Sequence, residues 1–200
     1  MAKVVLGLSG GVDSAVAARL LQRAGHEVFG LYLDTGSDAA RADAIATAEY
    51  LSVPLTVRDV RGELEEKVCR PFTESYLRGE TPNPCILCNP SVKFKSLIDC
   101  ADRLGAPFVA TGHYARARDG MLFKGMPAND QSYMLCRLRR DQVERMLLPL
   151  GEYEKKQVRA LAGEFGIPVA HKPDSMEICF IPDKDYIGWI GRRADLDGRG

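Results

Sequence analysis

A glycine-rich turn near the start of the chain has the residue types that bind an anion. It reads Ser9-Gly10-Gly11-Val12-Asp13-Ser14 and directly follows the apolar run 3–8. Glycines let the backbone approach a ligand closely, and a helix start offers unpaired N–H groups at the positive end of its dipole. The turn therefore predicts a phosphate site, although its spacing is neither the nucleoside triphosphatase loop nor the dinucleotide fingerprint. The alternative is a turn in which Asp13 and Ser14 only cap a helix.

Three of the six cysteines have neighbours that suit sulfur or metal chemistry. Cys85 and Cys88 form a Cys-x-x-Cys pair in a proline-rich segment, which is predicted to be a loop, and Cys179 lies in the apolar run 176–181. A thiolate is both a nucleophile and a metal ligand, and without a secretory signal the thiols are expected to be reduced. The other cysteines, interpreted as small buried side chains within predicted helices, are Cys69, Cys100 and Cys136.

The elements that must position these motifs alternate between strand and helix. Apolar runs predict strands at 3–8, 27–33, 54–59 and 107–111, and helical periodicity predicts helices at 13–24, 39–51, 63–77 and 91–104. Such alternation predicts an α/β fold, a parallel sheet with helices on both faces. Ligands of open parallel sheets sit at the carboxyl ends of the strands, so the loops after Leu8, Leu33 and Thr111 are expected to line one crevice.

A small mixed region is predicted after this sheet. Asp119-Gly120 between two short alternating runs predicts a hairpin over 115–125, and helices are expected at 130–146 and 153–165. The predicted organisation is a core over 1–114, its continuation over 115–190 and a polar tail or boundary over 191–200.

The charge balance limits the kinds of partner. Lysine plus arginine and aspartate plus glutamate each number 27, which argues against nucleic-acid binding over the whole surface. Locally, residues 34–66 hold eight acidic and three basic side chains, whereas 116–145 hold seven basic and four acidic, so a polyanion is expected at the later segment. Nothing resembles a membrane span or a secretory signal, and the expected location is the cytoplasm, with no membrane partner.

The turn at 9–14 resembles the pyrophosphate loop of the ATP pyrophosphatase superfamily. Its members share an adenine nucleotide alpha hydrolase-like, Rossmann-like domain. They split ATP into AMP and pyrophosphate while adenylating a carbonyl oxygen. The resemblance implies ATP, with Mg2+ shielding the phosphates, and leaves the substrate to the later motifs.

Six later motifs, taken in order, look like those of the tRNA-specific 2-thiouridylases, which replace the C2 oxygen of the wobble uridine by sulfur. They are Thr81-Pro82-Asn83-Pro84-Cys85-Ile86-Leu87-Cys88-Asn89, Val92-Lys93-Phe94-Lys95, Ala110-Thr111-Gly112-His113-Tyr114, Asp130-Gln131-Ser132-Tyr133, Pro149-Leu150-Gly151 and Asp174-Ser175-Met176-Glu177-Ile178-Cys179-Phe180-Ile181. The resemblance covers about residues 3 to 190. Family members are typically longer and carry further domains after this part.

The resemblance implies roles for individual residues. It makes Cys179 the carrier of a persulfide and Cys88 the thiol that attacks or resolves the sulfur-bearing intermediate. The implied partners are tRNA and a sulfur donor protein or free sulfide. The implied ATP-binding residues are Gly7, Leu8, Ser9, Gly10, Gly11, Val12, Asp13, Ser14, Leu33 and Gly112. The implied tRNA-binding residues are Asn83, Pro84, Cys85, Asn129, Asp130 and Gln131, and nearby arginines that could contact phosphates are Arg137, Arg139, Arg140 and Arg145.

Cys85 departs from the family pattern, which often has aspartate there. With Cys88 and Cys179 it supplies three thiolates, so an iron-sulfur cluster held by Cys85, Cys88 and Cys179 is an alternative to a persulfide relay. A structural zinc site is a third alternative. For the whole chain, the competing functions are an amidotransfer-type synthetase with the same loop and a non-catalytic nucleotide-binding or sulfur-carrier module. His113, which follows the fourth strand, is left outside the catalytic set.

Overall fold

A computed structural model describes residues 1–172, 178–181 and 183–194. Its centre is a parallel five-stranded sheet in the order β3-β2-β1-β4-β7. The strands are β1 Lys3–Gly7, β2 Glu27–Asp34, β3 Leu55–Asp59, β4 Phe108–Ala110 and β7 Met146–Leu147. The first four follow the prediction closely. The fifth was not predicted, because two residues are too short for a period-two pattern.

Helices cover both faces of this sheet. Along β1, Val4 and Leu6 enter one buried cluster with α1 (Val12–Arg23) and α8 (Lys155–Glu164). Val5 enters the other buried cluster, on the opposite face, with α6 (Phe94–Leu104). This alternation follows from the pleat of a strand, which turns successive side chains to opposite faces. The predicted fold class is therefore confirmed. The helices are α1 Val12–Arg23, α2 Asp38–Leu51, α3 Arg61–Leu64, α4 Arg70–Leu77, α5 Pro84–Cys88, α6 Phe94–Leu104, α7 Arg140–Glu144, α8 Lys155–Glu164 and α9 Tyr186–Gly191.

Two of the helical stretches contain a wide π turn. Glu65–Cys69 joins α3 to α4, and Asn89–Lys93 joins α5 to α6, and each turn closes with an N–H bonded five residues back. Pro71 follows the first turn and Pro90 lies within the second. A proline cannot donate to the ladder of a helix, which is a local reason for the widened turn.

The Cys-x-x-Cys segment is helical, so the prediction of a loop there was wrong. Asn83 occupies the N-cap of α5, and its side chain accepts a hydrogen bond from the Cys85 N–H at 3.0 Å. Pro84 at the first helical position has its backbone angle already fixed for a helix. A capped proline start therefore nucleates α5 where composition alone indicated irregular structure.

The region after β4 is partly as predicted. The hairpin is confirmed as β5 Ala115–Arg118 and β6 Met121–Lys124, with Asp119 and Gly120 both at positive φ. The prediction of a single helix over 130–146 was wrong. That stretch instead contains a short 3-10 turn at Ser132–Leu135, then α7, then β7, after a further 3-10 turn at Pro127–Asn129.

Side-chain hydrogen bonds explain the lost helix. The Asp130 carboxylate accepts from the N–H groups of Gly125 and Ser132 and from the Ser132 hydroxyl. These bonds offer the backbone an alternative to a helix. Cys136 lies in this irregular stretch and is exposed, which corrects its interpretation as a buried helical residue, whereas Cys69 and Cys100 are buried as predicted.

No helix among the described residues is long and apolar enough to cross a membrane. The predicted continuation after 114 contributes β7 to the central sheet and Ala115, Leu135 and Met146 to one of its buried clusters. Of the predicted tail, Gly191 ends α9, and residues 195–200 lie outside the described part.

Candidate active site

The glycine-rich turn connects β1 to α1 at the carboxyl end of the sheet. The Ser14 hydroxyl donates to the Gly11 carbonyl at 3.0 Å and lies 3.2 Å from the Ser9 hydroxyl, which fixes the turn from within. Gly10 has φ +75, and a Cβ there would lie 2.6 Å from the Ala44 nitrogen of α2. Only glycine fits at this position.

The start of α1 is open for an anion. Gly11 occupies the N-cap position, and no side chain among the described residues caps it. The leading N–H groups of a helix that lacks a side-chain cap are free to meet an anion, and the helix dipole adds a partial positive charge. The alternative in which Asp13 and Ser14 serve as caps is wrong, because both lie inside α1.

Gly112 and Leu33 lie at the same edge of the sheet. A Cβ on Gly112 would lie 2.9 Å from the Asp13 carbonyl carbon and 3.0 Å from the Ser14 nitrogen. Leu33 is near the end of β2, two residues beyond Leu31, whose carbonyl accepts the Leu8 N–H at 2.9 Å. The fold therefore brings the residues predicted to bind ATP to one edge of the sheet.

Asp13 is held by two side chains that were not among the predicted site residues. The Lys155 ammonium lies 2.7 Å from both carboxylate oxygens, and the Tyr114 hydroxyl donates to Oδ1 at 2.7 Å. Tyr114 is the last residue of the motif 110–114, and its place in that motif was the only feature of the sequence that pointed to it as a site residue. Lys155 is 142 residues from Asp13 and has no local signal.

Cys88 and the segment around Cys179 meet at a third apolar cluster, which contains Phe72 and Trp189. Cys88 packs against this cluster, and so do Ile178 and Phe180, the neighbours of Cys179. The Phe180 ring lies 5.5 Å from that of Phe72 and 5.1 Å from that of Trp189. The preceding motif residues 174–177 lie outside the described part of the chain.

Both thiols of the relay are held in their protonated form. Burial raises the pKa of Cys88. Cys179 is an exposed residue, but the protein atoms packed around its thiol desolvate it and raise its pKa to about 11. The Cys85 and Cys88 thiols raise the pKa of Cys179 further, whereas the Lys93 ammonium opposes the rise at both sites. The charges of Lys93 and Cys85 thus act on both the Cys88 and the Cys179 thiols.

Alkylation of Cys179 tests this charge balance. With a pKa of about 11 against an ordinary 9.0, its reaction with iodoacetamide should be much slower at neutral pH than that of free cysteine. The rate should rise about tenfold per pH unit until the thiol ionises, because only the thiolate reacts. Mass spectrometry of the alkylated peptides gives the rates.

Lys93→Gln is the companion variant for that measurement. It removes the cation that lowers the pKa of both Cys88 and Cys179. Alkylation of both thiols should therefore slow further. Reaction of wild-type Cys179 at neutral pH as fast as that of free cysteine would contradict the assignment.

The described residues contain no group of three histidine, cysteine or acidic side chains placed to hold a metal ion. Cys85, Cys88 and Cys179 are therefore not arranged to hold an iron-sulfur cluster in this structure. For Mg2+, Asp13 has carboxylate oxygens of the preferred kind, but both of them lie 2.7 Å from the Lys155 ammonium in this arrangement.

His113 is buried beneath this edge of the sheet. Its Nδ1 lies 2.7 Å from the Thr111 hydroxyl, and its ring stacks on Phe94 at 6.3 Å. Burial lowers the pKa of His113 well below its usual range, with a further contribution from the Lys93 charge. The histidine is therefore neutral at physiological pH, and it holds the loop after β4.

The residues predicted to bind tRNA lie in two places. Asn83, Pro84 and Cys85 start α5, and Asn129, Asp130 and Gln131 follow the hairpin. Of the nearby arginines, Arg137 is exposed and forms no ion pair with any residue the structure describes. The other three pair with acidic groups as Arg139–Asp141, Arg140–Glu144 and Arg145–Asp102.

The five-stranded parallel sheet, with helices on both faces and the glycine-rich turn at its carboxyl edge, defines an α/β domain. A family model described as the tRNA methyl transferase HUP domain matches residues 2–183. The chain therefore belongs to this family.

Curated relatives are similar over nearly the whole chain. The tRNA-specific 2-thiouridylase MnmA 2 of Thermoanaerobacter sp. strain X514 is 44% identical over 214 residues, covering 96% of this chain and 59% of the relative. The tRNA-specific 2-thiouridylase MnmA of Syntrophotalea carbinolica is 46% identical over 205 residues, covering 96% of this chain and 58% of the relative. The chain thus spans less than two thirds of the length of these relatives.

A solved structure shows the same fold at low identity. NMN synthetase from Francisella tularensis superposes with a TM-score of 0.53 at 20% identity, covering 86% of this chain and 66% of that one. At this identity the likeness concerns the fold alone.

Proposed function

We propose that this chain is the catalytic domain of a tRNA-specific 2-thiouridylase. The observation that carries the proposal is the convergence of Cys88 with the segment around Cys179, 91 residues away in sequence, on one apolar cluster. An amidotransfer-type synthetase has no use for two such thiols. The names and identities of the curated relatives support the same assignment. A tRNA substrate would place the protein in the cytoplasm.

The first step is activation of the uridine. The C2 oxygen attacks the α-phosphorus of ATP and pyrophosphate leaves, which gives an O-adenylated base. The N–H groups at the start of α1 and the turn at 9–14 hold the departing pyrophosphate. Mg2+, when bound, neutralises phosphate charge. Gly112 lets the loop after β4 lie directly against the backbone of Asp13 and Ser14, next to the turn.

The second step is sulfur transfer. A donor persulfide first transfers its terminal sulfane sulfur to the Cys179 thiolate and is itself left as a thiol. The terminal sulfur of the resulting Cys179 persulfide then attacks C2 and displaces AMP, which leaves with the original oxygen. The Cys88 thiolate then attacks the Cys179 sulfur, which releases 2-thiouridine and leaves a Cys88–Cys179 disulfide. A thiol reductant restores both thiols. Because both thiols start protonated, each must lose a proton before it reacts, and Lys93 is the cation that favours this loss.

Pyrophosphate release distinguishes this function from simple nucleotide binding. The full chain, ATP and a tRNA transcript with an unmodified wobble uridine should release pyrophosphate at a rate that depends on the tRNA. A transcript with cytidine at the wobble position is the matched substrate control. A release rate that is the same with and without tRNA would contradict the proposal, and nucleotide binding without any release would favour the non-catalytic module.

Binding of tRNA is expected to weaken steeply with salt. Phosphate contacts by arginines release counterions, and the segment 116–145 carries the excess of basic side chains. Arg137→Ala should weaken binding of tRNA whatever base stands at the wobble position. It should also lower the slope of the logarithm of affinity against the logarithm of salt concentration by about 1. Filter binding over a series of salt concentrations measures both effects.

Arg139 is the matched comparison for Arg137. It is exposed in the same segment, but its guanidinium already donates to both oxygens of Asp141 at 3.0 and 2.8 Å. Arg139→Ala should therefore cost less affinity than Arg137→Ala. Binding that does not depend on salt, or a larger loss at Arg139, would refute this view of the basic surface.

A further inference from the structure

The carboxylate of Asp13 contacts two side chains, and we call the three residues Asp13, Tyr114 and Lys155 the Asp13 clamp. Both carboxylate oxygens lie 2.7 Å from the Lys155 ammonium, and the Tyr114 hydroxyl donates to one of them at 2.7 Å. The ammonium also lies 5.7 Å from the centre of the Tyr114 ring. Charge-assisted bonds from two directions fix the orientation of the carboxylate.

The clamp has an electrostatic consequence for the phosphate site. Asp13 lies in the first turn of α1, where the pyrophosphate is expected, and an uncompensated carboxylate there would repel it. The Lys155 side chain is 20% exposed and that of Asp13 30%, so solvent screens their interaction only in part. Lys155 thus neutralises Asp13 where an anion must bind.

Two of the clamp residues, Tyr114 and Lys155, are bonded to the segment proposed to touch tRNA. The Asn129 side-chain oxygen accepts the Lys155 backbone N–H at 3.1 Å. The Gln131 side chain accepts the Tyr114 N–H at 3.1 Å, and the Gln131 N–H donates to the Tyr114 carbonyl at 2.8 Å. Two separate routes of hydrogen bonds therefore lead from residues 129–131 to Asp13.

The segment between these contacts is stiff. Asp130 binds the N–H groups of Gly125 and Ser132, and a Cβ on Gly125 would lie 2.5 Å from the Tyr114 carbonyl oxygen. A displacement of residues 129–131 that keeps these hydrogen bonds therefore moves Tyr114 and the start of α8 with it.

The clamp is not needed to dock α8 on the sheet. Val158 and Ala162 of α8 are fully buried in the same apolar cluster as α1, and this packing accounts for its attachment. The Tyr114 hydroxyl and the Lys155 ammonium both contact one carboxylate, which is an arrangement that can orient it.

We propose that Tyr114 and Lys155 are positioning residues that couple tRNA contact at residues 129–131 to the pyrophosphate turn through Asp13. The proposal rests on the proposed function, because it takes residues 129–131 as a tRNA contact. Linkage then requires reciprocity: tRNA tightens binding of the nucleotide, and the nucleotide tightens binding of tRNA by the same factor.

The test measures that factor directly. The affinity of the full chain for an unmodified tRNA transcript is measured with and without saturating α,β-methylene-ATP, which cannot be split between its α and β phosphates. The wild-type chain should bind tRNA at least about fivefold more tightly with the analogue, the lower end of ordinary coupling. Tyr114→Phe and Lys155→Gln should each reduce this factor to less than twofold, while tRNA affinity without the analogue stays unchanged.

Two control variants separate coupling from general destabilisation. Tyr50→Phe removes a hydroxyl outside the clamp, which donates to the Phe165 carbonyl at 2.8 Å. Lys156→Gln removes the ammonium of the residue next to Lys155, and that ammonium pairs with Glu154. Both should keep the wild-type factor.

The outcomes distinguish this inference from the proposed function. A factor that remains at the wild-type value in both clamp variants, or a wild-type factor of one, would overturn the coupling alone. A wild-type chain that binds no tRNA would overturn the proposed function and the coupling together.

Discussion

Replacement of Cys179 by serine is expected to eliminate 2-thiouridine from the tRNA while ATP-dependent pyrophosphate release continues. Activation of the uridine precedes sulfur transfer and uses the turn at 9–14, whereas the persulfide forms on Cys179. Because serine cannot carry sulfane sulfur, the loss of 2-thiouridine should be complete rather than partial. Nucleoside mass spectrometry after digestion of the tRNA measures thiolation, and a pyrophosphate assay on the same reaction measures activation.

Cys88→Ser should give the same separation of activities, because the intermediate on Cys179 is then not resolved. Cys136→Ser is the matched control, since Cys136 is exposed outside the apolar cluster that gathers Cys88 and the Cys179 segment. It should leave both activities unchanged. Thiouridine made at the wild-type rate by Cys179→Ser would show that this thiol does not carry the sulfur.

Cys85→Ser distinguishes the two forms of sulfur chemistry. Under the persulfide relay Cys85 carries no sulfur, so thiolation should persist at least in part. If Cys85, Cys88 and Cys179 held an iron-sulfur cluster, the variant would lose iron and activity together. Iron and sulfide analysis after anaerobic purification, done beside the activity assay, decides between them.

Gly10→Ala is expected to abolish ATP turnover, with a loss of at least about a hundredfold, the scale of removing preorganised donors from developing charge. Its Cβ would lie 2.6 Å from the Ala44 nitrogen and 2.9 Å from the Asp43 carbonyl carbon, which are backbone atoms that cannot rotate away. The turn must therefore shift, and the N–H groups at the start of α1 shift with it. Pyrophosphate release with saturating tRNA measures the loss.

Gly25→Ala separates this effect from backbone strain. Gly25 also has positive φ, at +82, but a Cβ there meets nothing within 4 Å. The substitution should cost about 1–2 kcal/mol of stability and leave turnover intact. Far-UV circular dichroism and thermal melts of both variants check that Gly10→Ala is folded. A folded Gly10→Ala protein with normal turnover would argue against a phosphate site at this turn.

The first half of the fold was predictable because its signals are local. Strands β1 to β4 are short apolar runs bounded by glycine, proline or polar turns, and α1 and α2 have regular apolar spacing. The same local logic identified the hairpin from Asp119-Gly120. Where neighbours in sequence decide the structure, the pattern is sufficient.

The later part was not predictable because contacts distant in sequence decide it. The helix expected over 130–146 is replaced by bonds from Asp130 to Gly125 and Ser132 and by the pairing of β7 with β4. For the loop expected at Cys85 and Cys88, the cap by Asn83 was a usable signal that the proline content obscured.

The candidate site divides in the same way. The turn at 9–14 and the cysteines carry their chemistry in their residue types, so they were found from the sequence. Lys155 was missed, because an ordinary lysine at the start of a helix becomes part of a site only when folding places it against Asp13.

The central claim, that the chain adenylates the C2 oxygen of uridine and then replaces it with sulfur, is tested most directly by following that oxygen. The full chain is given ATP, a sulfur donor and tRNA whose wobble uridine carries a heavy oxygen isotope at C2. The mechanism predicts that each 2-thiouridine formed is matched by one AMP bearing the heavy isotope on its phosphate. Thiouridine formed with unlabelled AMP, or labelled tRNA left intact while ATP is consumed, would contradict it.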